Sequence, residues 1–527
     1  MSAFVKLPPV VIVAGVAFSL ALQLVTPRGD VFFSGDGGMK SLMTRQYASG
    51  DLHIDLRLSD EPWVQSLWDR GLHPLVYGSF AFNIDGRCFS VFPYPFPMVT
   101  APFYAAFGSV GYFIVPLVSL WATWSLVFVA LKRAGLDPIR ISILLTVLIF
   151  AMPLTLYGAM FWEHTLGVAL AFGGAMYTLG DRFEPGKPAP AVIAGVVMGS
   201  ATWFRPETLA WMAAFFVATF IWKRVAMGNR NWIAYWGAAT AAVALFFVCN
   251  YLIYGHPLGT HGMQMDQIDP PPGRVDVVLD RLDIMARDFA RFAPIVWFAV
   301  AGIVCLAVTR KLHVRSNTVY LATVLVLFVC GTARIVPNEG GYQIGPRFLF
   351  AGLPLLVMVC GHVWKEFDRV GWNWMKSVAL VLVLLCVVVG AKRSALDGTR
   401  YLAANYRERV MPAIDVLRSR DEGIVAVQHA AISAELASQV GPKTFFQVRD
   451  RDHLEALMDA LRAQGVDRFI YVAFGDPDHE HDSPIQHTDS LPLQIEPLGR
   501  HGEHFYFYVV YLREIIAMNS SGIKTAS

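Results

Sequence analysis

Apolar runs of about twenty residues recur from Leu7 to Ala391, and this recurrence fixes the solvent of the chain before it fixes the fold. A hydrocarbon core about 30 Å thick takes roughly 20 helical residues to cross. Backbone donors and acceptors find no water there, so only helices or closed barrels can span it. Leu7 to Val25 is the first such run, and others lie at roughly 110–131, 139–158, 165–180, 189–205, 207–222, 232–253, 292–309, 317–335, 347–364 and 374–391. The expectation is a polytopic α-helical membrane protein of about 11 transmembrane helices. Composition agrees: 55% of the residues are hydrophobic, 16% are charged, and the mean hydropathy is +0.46. No single soluble core hides that much apolar surface.

The connections differ in charge. Lys6, Lys132, Arg133, Arg140, Arg182, Lys187, Lys223, Arg224, Arg230, Arg310, Lys311, Arg315, Lys365, Arg369 and Lys376 gather on one side, against the acids Asp137, Asp181, Glu184, Glu366 and Asp368. The excess of Lys and Arg places that side and the N-terminus in the cytoplasm. Leu7 to Val25 ends in Thr-Pro-Arg-Gly-Asp with no small-x-small cleavage site, so it reads as a retained span. An odd number of spans then puts the C-terminus outside, together with the long connections 27–97 and 254–291. In the first of these, Trp63, Trp68, Tyr77, Phe92, Tyr94 and Phe96 suit the headgroup layer. Pro93, Pro95 and Pro97 point to an extended turn into the next span.

After the transmembrane module, 1–391, the composition shifts. Residues 392–527 read as a small extracytoplasmic α/β domain, with strands in GIVAVQ, KTFFQV, RFIYVAF and EHFYFYVVYLRE. AAISAELASQ and DHLEALMDALRAQ between them carry helical periodicity. No glycine-rich phosphate loop follows a strand, which argues against a nucleotide-binding domain. Nothing in the charge pattern suggests nucleic acid as a partner. All six cysteines except Cys88 fall in the apolar spans, which suggests neither a disulfide framework nor a zinc site.

Polar groups at the outer ends of the spans are the candidates for chemistry, because charge at bilayer depth is expensive and tends to face interior cavities. Asp36 and Lys40 are one helical turn apart in GDGGMKSLMTRQYASGDLHIDL, with Arg45 close by. FWEHT supplies Glu163 and His164, TWFRPE supplies Arg205 and Glu207, and VPNEGGYQIGPRF supplies Glu339, Tyr342 and Arg347. Each also has an ordinary reading. Lys40 and Arg45 are long enough to snorkel to headgroups. Glu207 after a proline suits the first turn of a helix, and Arg205 suits an interfacial anchor. DPDHEHD, at 476–482, fits no defined metal template and reads as a solvated loop.

Asp36 just past the first span, followed by SGDLHIDL, resembles the first outer loop of the GT-C superfamily of polyprenyl-phosphate-sugar-dependent glycosyltransferases, which includes protein mannosyltransferases and aminoarabinose transferases. DGRCFSVFPYPFPMVTAPFYAAFG is similar to their Y-S-x-x-P-P-G-x-P run, with Tyr94-Pro95-Phe96 replacing the usual proline-glycine. GGYQIGPRFLFAGLPLL is similar to their G-x-R-Y-L-x-x-x-x-P element. The resemblance implies a donor sugar on polyprenyl phosphate, an acceptor glycan, lipid or protein outside the membrane, and Asp36 as the catalytic acid of the first loop. On this reading Asp36 is the base of an inverting single displacement, and Lys40, Arg205 and Arg347 hold the departing phosphate. Glu163, His164, Glu207, Glu339 and Tyr342 bind the sugar or the acceptor. The implied location is a bacterial inner or plasma membrane. Several relatives carry two neighbouring acids and a divalent metal in that loop, whereas Gly35 and Gly37 flank Asp36 here, so the metal stays an open question. An O-antigen ligase or polymerase and a transporter or flippase are the alternatives. A reporter fused after residue 400 should be active only in its exported form; activity confined to a cytoplasmic reporter would reverse the orientation.

Overall fold

The computed structural model describes residues 7–26, 30–76, 80–180, 187–268, 274–314, 316–338, 340, 344–370, 373–475, 485 and 491–513. Glu339, Tyr342, Tyr77 and the 476–482 loop lie outside the described residues. Two compact units are present. One comprises 1–33, 43–54 and 90–406; the other comprises 34–42, 55–89 and 407–527.

The first unit is helical. Among the described residues, five helices are long and apolar enough to cross a bilayer: Leu7–Val25, Pro95–Arg133, Asn229–Tyr254, Asn317–Ile335 and Trp374–Ser419. Val275–Phe292 and Val296–Val308 make a sixth if the pair, bent by 101°, counts as one span. Pro138–Phe150, His164–Ala175, Ala189–Trp203 and Thr208–Trp222 are apolar but shorter. This is a polytopic helical membrane protein, and among the described residues five helices, or six with the bent pair, have the length and apolar composition of a crossing. The sequence that reads as one span over 139–158 breaks after Phe150, where Ala151, Met152 and Pro153 leave the helix. Gly352–Val370 is long enough but carries Lys365, Glu366, Asp368 and Arg369 in its last turns.

The prolines after Phe92 do not make an extended turn. Pro95 opens the helix Pro95–Phe107, and Pro97 lies in its first turn, where a backbone N–H has no partner to lose. Phe96 then packs with Phe32, Tyr112, Val115 and Phe161 in a buried cluster.

Close helix packing in this unit relies on missing side chains. Ala189–Ser200 lies so near Asn229–Tyr254 that a Cβ on Gly195 would sit 2.1 Å from the carbonyl oxygen of Tyr235, and one on Gly199 2.6 Å from that of Ala239. Small residues four apart let two helices in lipid reach backbone contact, where dispersion and not the hydrophobic effect holds them.

The second unit contains a five-stranded sheet of order β4-β3-β5-β7-β6, with a separate hairpin of β1 (Ala81–Ile84) and β2 (Arg87–Ser90). β3 (Ile424–Val427) runs parallel to β4 (Thr444–Gln447) and to β5 (Arg468–Phe474). β7 (Phe505–Leu512) and β6 (Leu493–His501) complete it antiparallel. The four strands read from the sequence are β3, β4, β5 and β7, and the helix Arg451–Ala463 matches the second helical stretch. β6 went unread because Pro497 and Gly499 interrupt it at a register shift and its residues alternate only weakly in burial.

Trp63 and Trp68 are not headgroup anchors. The helix Pro62–Leu67 and the turn after it bury Val64, Leu67, Trp68 and Leu72 with Phe446, Leu457 and Tyr471 of the sheet domain. Trp68 Nε1 donates to the carbonyl of Phe445 at 3.2 Å. A tryptophan that is 7% exposed with its N–H satisfied gains more there than at an interface.

Gly195→Val should lower the melting temperature in detergent by the equivalent of about 1–3 kcal/mol, the usual cost of overpacking. Gly237→Ala, on the facing helix with nothing within 4 Å of the added carbon, should be neutral or stabilising. Equal melting of the Gly195→Val protein and the wild type would contradict the close approach.

Candidate active site

Three breaks between helices in the first unit bring charged residues together. Glu163 immediately precedes the helix His164–Ala175, Arg205 follows the turn at 201–203, and Glu207 precedes Thr208–Trp222. Arg205 Nη1 lies 2.9 Å from Glu163 Oε1, and its Nη2 lies 2.5 Å from Glu207 Oε1. The three side chains are 12%, 3% and 10% exposed, so one guanidinium is shared by two carboxylates with little water. Gly167, one turn beyond Glu163, makes room for the arginine: a Cβ there would lie 2.7 Å from Arg205 Cγ.

An aromatic wall joins this triad to the fourth charged candidate. The Arg205 guanidinium lies 5.4 Å from the centre of the Phe348 ring, and that of Arg347 lies 5.1 Å from the same ring and 5.5 Å from Trp162. Cations over ring faces are held by the ring quadrupole. His164 is buried among Tyr157, Trp162 and Phe350, with ring centres 5.1, 5.1 and 6.1 Å away. The first unit therefore gathers Glu163, His164, Arg205, Glu207 and Arg347, all read from the sequence, within one set of contacts.

His261 was not read from the sequence. It sits on the short helix Gly259–Asp266, and burial together with the nearby Arg205 charge pushes its imidazole down to about 4. It is neutral at pH 7 and able to accept a hydrogen bond. Its stretch, GTHGMQMD, has no motif, and its link to Arg205 spans distant sequence, so no local signal marks it.

A cavity of about 520 Å³ in the same unit runs beside the first helix. Leu20, Leu24, Val110, Phe113 and Leu117 make its walls apolar, and Asp30 and Tyr112 add polar groups.

Asp36 and Lys40 belong to the second unit. Both lie on Gly35–Ala48, Asp36 in the first turn and half-buried, Lys40 one turn later and 1% exposed. Arg45 occupies the last turn of that helix. Among the described residues no three His, Cys, Asp or Glu side chains are grouped to hold a metal ion, and glycines flank Asp36. That donor set does not fit a divalent cation.

The architecture is shared with solved structures. ArnT from Cupriavidus metallidurans bound to undecaprenyl phosphate is similar with a TM-score of 0.57 at 12% identity, covering 94% of this chain and 97% of that one. Its apo state gives a TM-score of 0.59 at 12% identity over the same shares, 94% and 97%. The Archaeoglobus fulgidus oligosaccharyltransferase in complex with zinc and sulfate gives 0.51 at 11% identity, over 88% of this chain and 68% of that chain. Neither a family model nor the sequence of a curated protein matches the chain. The fold is thus shared with these ArnT and oligosaccharyltransferase structures.

Arg205→Met leaves Glu163 and Glu207 buried without their shared cation, and should destabilise the protein by about 3–5 kcal/mol. The triple change Glu163→Gln, Arg205→Met, Glu207→Gln should recover most of the loss in thermal unfolding. If Arg205→Met melted with the wild type, the triad would not be an internal ion cluster.

Proposed function

We propose that the protein transfers a sugar from a polyprenyl-phosphate donor to a hydroxyl of an extracytoplasmic glycan, lipid or protein, with Asp36 as general base. The observation that carries this reading is the extent of the likeness to ArnT bound to undecaprenyl phosphate, 94% of this chain and 97% of that one. The placement of Asp36 on the first helix after the first span supports it. The apolar cavity beside Leu7–Val25 offers a prenyl chain a surface free of buried charge apart from Asp30.

The step balances without a cofactor. The acceptor oxygen attacks the anomeric carbon as its proton passes to the Asp36 carboxylate. The bond from that carbon to the phosphate oxygen breaks, and its electron pair leaves with the polyprenyl phosphate. One displacement inverts the anomeric centre, and no covalent sugar–enzyme bond forms.

The cations divide the remaining work. Arg205 already serves two carboxylates, so its task is to hold Glu163 and Glu207 in place for sugar or acceptor hydroxyls. Arg347 and Lys40 are assigned to the phosphate, on which charge grows as the bond breaks. His261, kept neutral, suits a hydroxyl contact more than a phosphate contact.

Asp36→Asn keeps the size of the side chain and removes its basicity. Purified protein supplied with lipid-linked sugars extracted from native membranes should still bind undecaprenyl phosphate, while release of polyprenyl phosphate falls by about 10²–10⁴. Wild-type turnover in a stable Asp36→Asn protein would refute the base. No turnover by either protein, with movement of a substrate across vesicles, would make the chain a transporter.

A further inference from the structure

The first unit holds another cavity, of about 320 Å³, between Val296–Val308 and Asn317–Ile335. Ile303, Leu312, Ala322, Val326 and Leu327 line it with apolar groups, and Thr318 stands at one end. Each helix spends another face on protein. A Cβ on Gly302 would lie 2.3 Å from Val363 Cγ1, so Val296–Val308 is seated against Gly352–Val370. Tyr320, Leu321, Val324 and Phe328 form the buried stripe of Asn317–Ile335. Val304 and Val326 stay exposed, which in a span means exposed to lipid. From Thr318 to Leu327 is about 14 Å of helix, close to the depth of one leaflet in a hydrocarbon core about 30 Å thick.

The loop at the mouth is basic, and nothing nearby in sequence balances it. No Asp or Glu occurs from Phe292 to Ile335, whereas Arg310, Lys311 and Arg315 stand between the two helices. Arg310 and Lys311 are exposed, and Leu312, next to them, brings the loop to the cavity. The loop is held in place. Trp222 Nε1 donates to the carbonyl of Val314 at 2.8 Å, and the Ser316 hydroxyl caps Asn317–Ile335. Arg310 itself has φ 56°, just past the end of Val296–Val308. The amides of Arg310 and Lys311 close that helix on the carbonyls of Ala307 and Leu306, at 2.9 and 2.8 Å. Glycine is the usual left-handed residue of such a closure, because a Cβ is strained there. The backbone therefore does not account for an arginine at 310, and its charge offers a reason for the strain.

We propose that this groove binds an anionic phospholipid, with an acyl chain along Ala322 and Val326 and the phosphate at Arg310 and Lys311. Charge decides the class of lipid: basic residues at the headgroup layer attract anionic lipids over zwitterionic ones. The Thr318 hydroxyl is buried with no acceptor among the described residues, and it suits an ester oxygen where chain and headgroup join. The site is separate from the proposed transfer chemistry and does not depend on Asp36.

The test is lipid binding by the full-length protein purified in detergent, read by native mass spectrometry and by thermal unfolding. Phosphatidylglycerol and phosphatidylcholine of the same chain length are compared. The wild type should bind phosphatidylglycerol at least about fivefold more tightly. Arg310→Gly should weaken that binding about fivefold, the worth of one basic residue near an anionic headgroup, and Arg310→Gly with Lys311→Gln should weaken it further. Without added lipid the Arg310→Gly protein should melt at or above the wild-type temperature, because glycine relieves the left-handed backbone. A purely structural arginine would not separate the two readouts in this way. Ala322→Trp fills the groove and should weaken both lipids. Arg133→Gln removes an exposed charge from another connection and should leave binding unchanged. Equal affinity of the wild type for the two lipids would overturn the site. So would phosphatidylglycerol binding that survives Ala322→Trp, or that falls as far in Arg133→Gln as in Arg310→Gly.

Discussion

Charge buried in a helical bundle has to bring its compensation with it. The cost of stripping water from an ion is repaid only by close partners and hydrogen bonds. The first unit meets this demand repeatedly. Arg205 is held by two carboxylates. Arg281, 3% exposed, donates to the carbonyls of Ala333, Val336 and Pro337. Lys223 reaches Asn317 at 2.9 Å and lies over the Tyr320 ring. Arg281 answers two needs at once, because the last carbonyls of Asn317–Ile335 have no helical partner and the guanidinium fills that place.

Much of this was legible because the bilayer imposes a coarse code. Helices stand at the apolar runs, and the charged candidates at the breaks are the residues the first unit gathers. The breaks were less legible than the runs: hydropathy averages across Ala151–Pro153 and cannot see a helix stop inside an apolar stretch. The prolines at 93–97 misled for the opposite reason. A proline forbids the interior of a helix and suits its first turn, and only the start of the helix decides which applies.

The aromatic residues of the first loop show another limit. Trp63 and Trp68 satisfy the composition of a headgroup belt and of a protein core equally well. What decides between them is a partner surface, the face of the sheet bearing Phe446 and Tyr471, which lies far along the chain. His261 and Arg281 were invisible for the same reason, since each takes its meaning from a residue distant in sequence. The edge strand β6 was missed on local grounds, because half its side chains meet water and proline and glycine interrupt its pattern.

The charge balance of the first-unit cluster bears on how a transferase of this fold would work. In this cluster the Arg205 guanidinium is shared by the carboxylates of Glu163 and Glu207, Arg347 lies close by, and His261 is neutral. A lipid-linked sugar phosphate is a diester with one negative charge, whereas the polyprenyl phosphate that leaves is a monoester with more. A cation already matched by two carboxylates gains little as that charge grows, because its field is largely cancelled nearby. Arg347 lies over the rings of Trp162 and Phe348. Only interactions that strengthen towards the transition state raise the rate. The pairing of Arg205 with Glu163 and Glu207 therefore suits it to a separate task, that of holding two acids in a medium that would otherwise protonate or expel them.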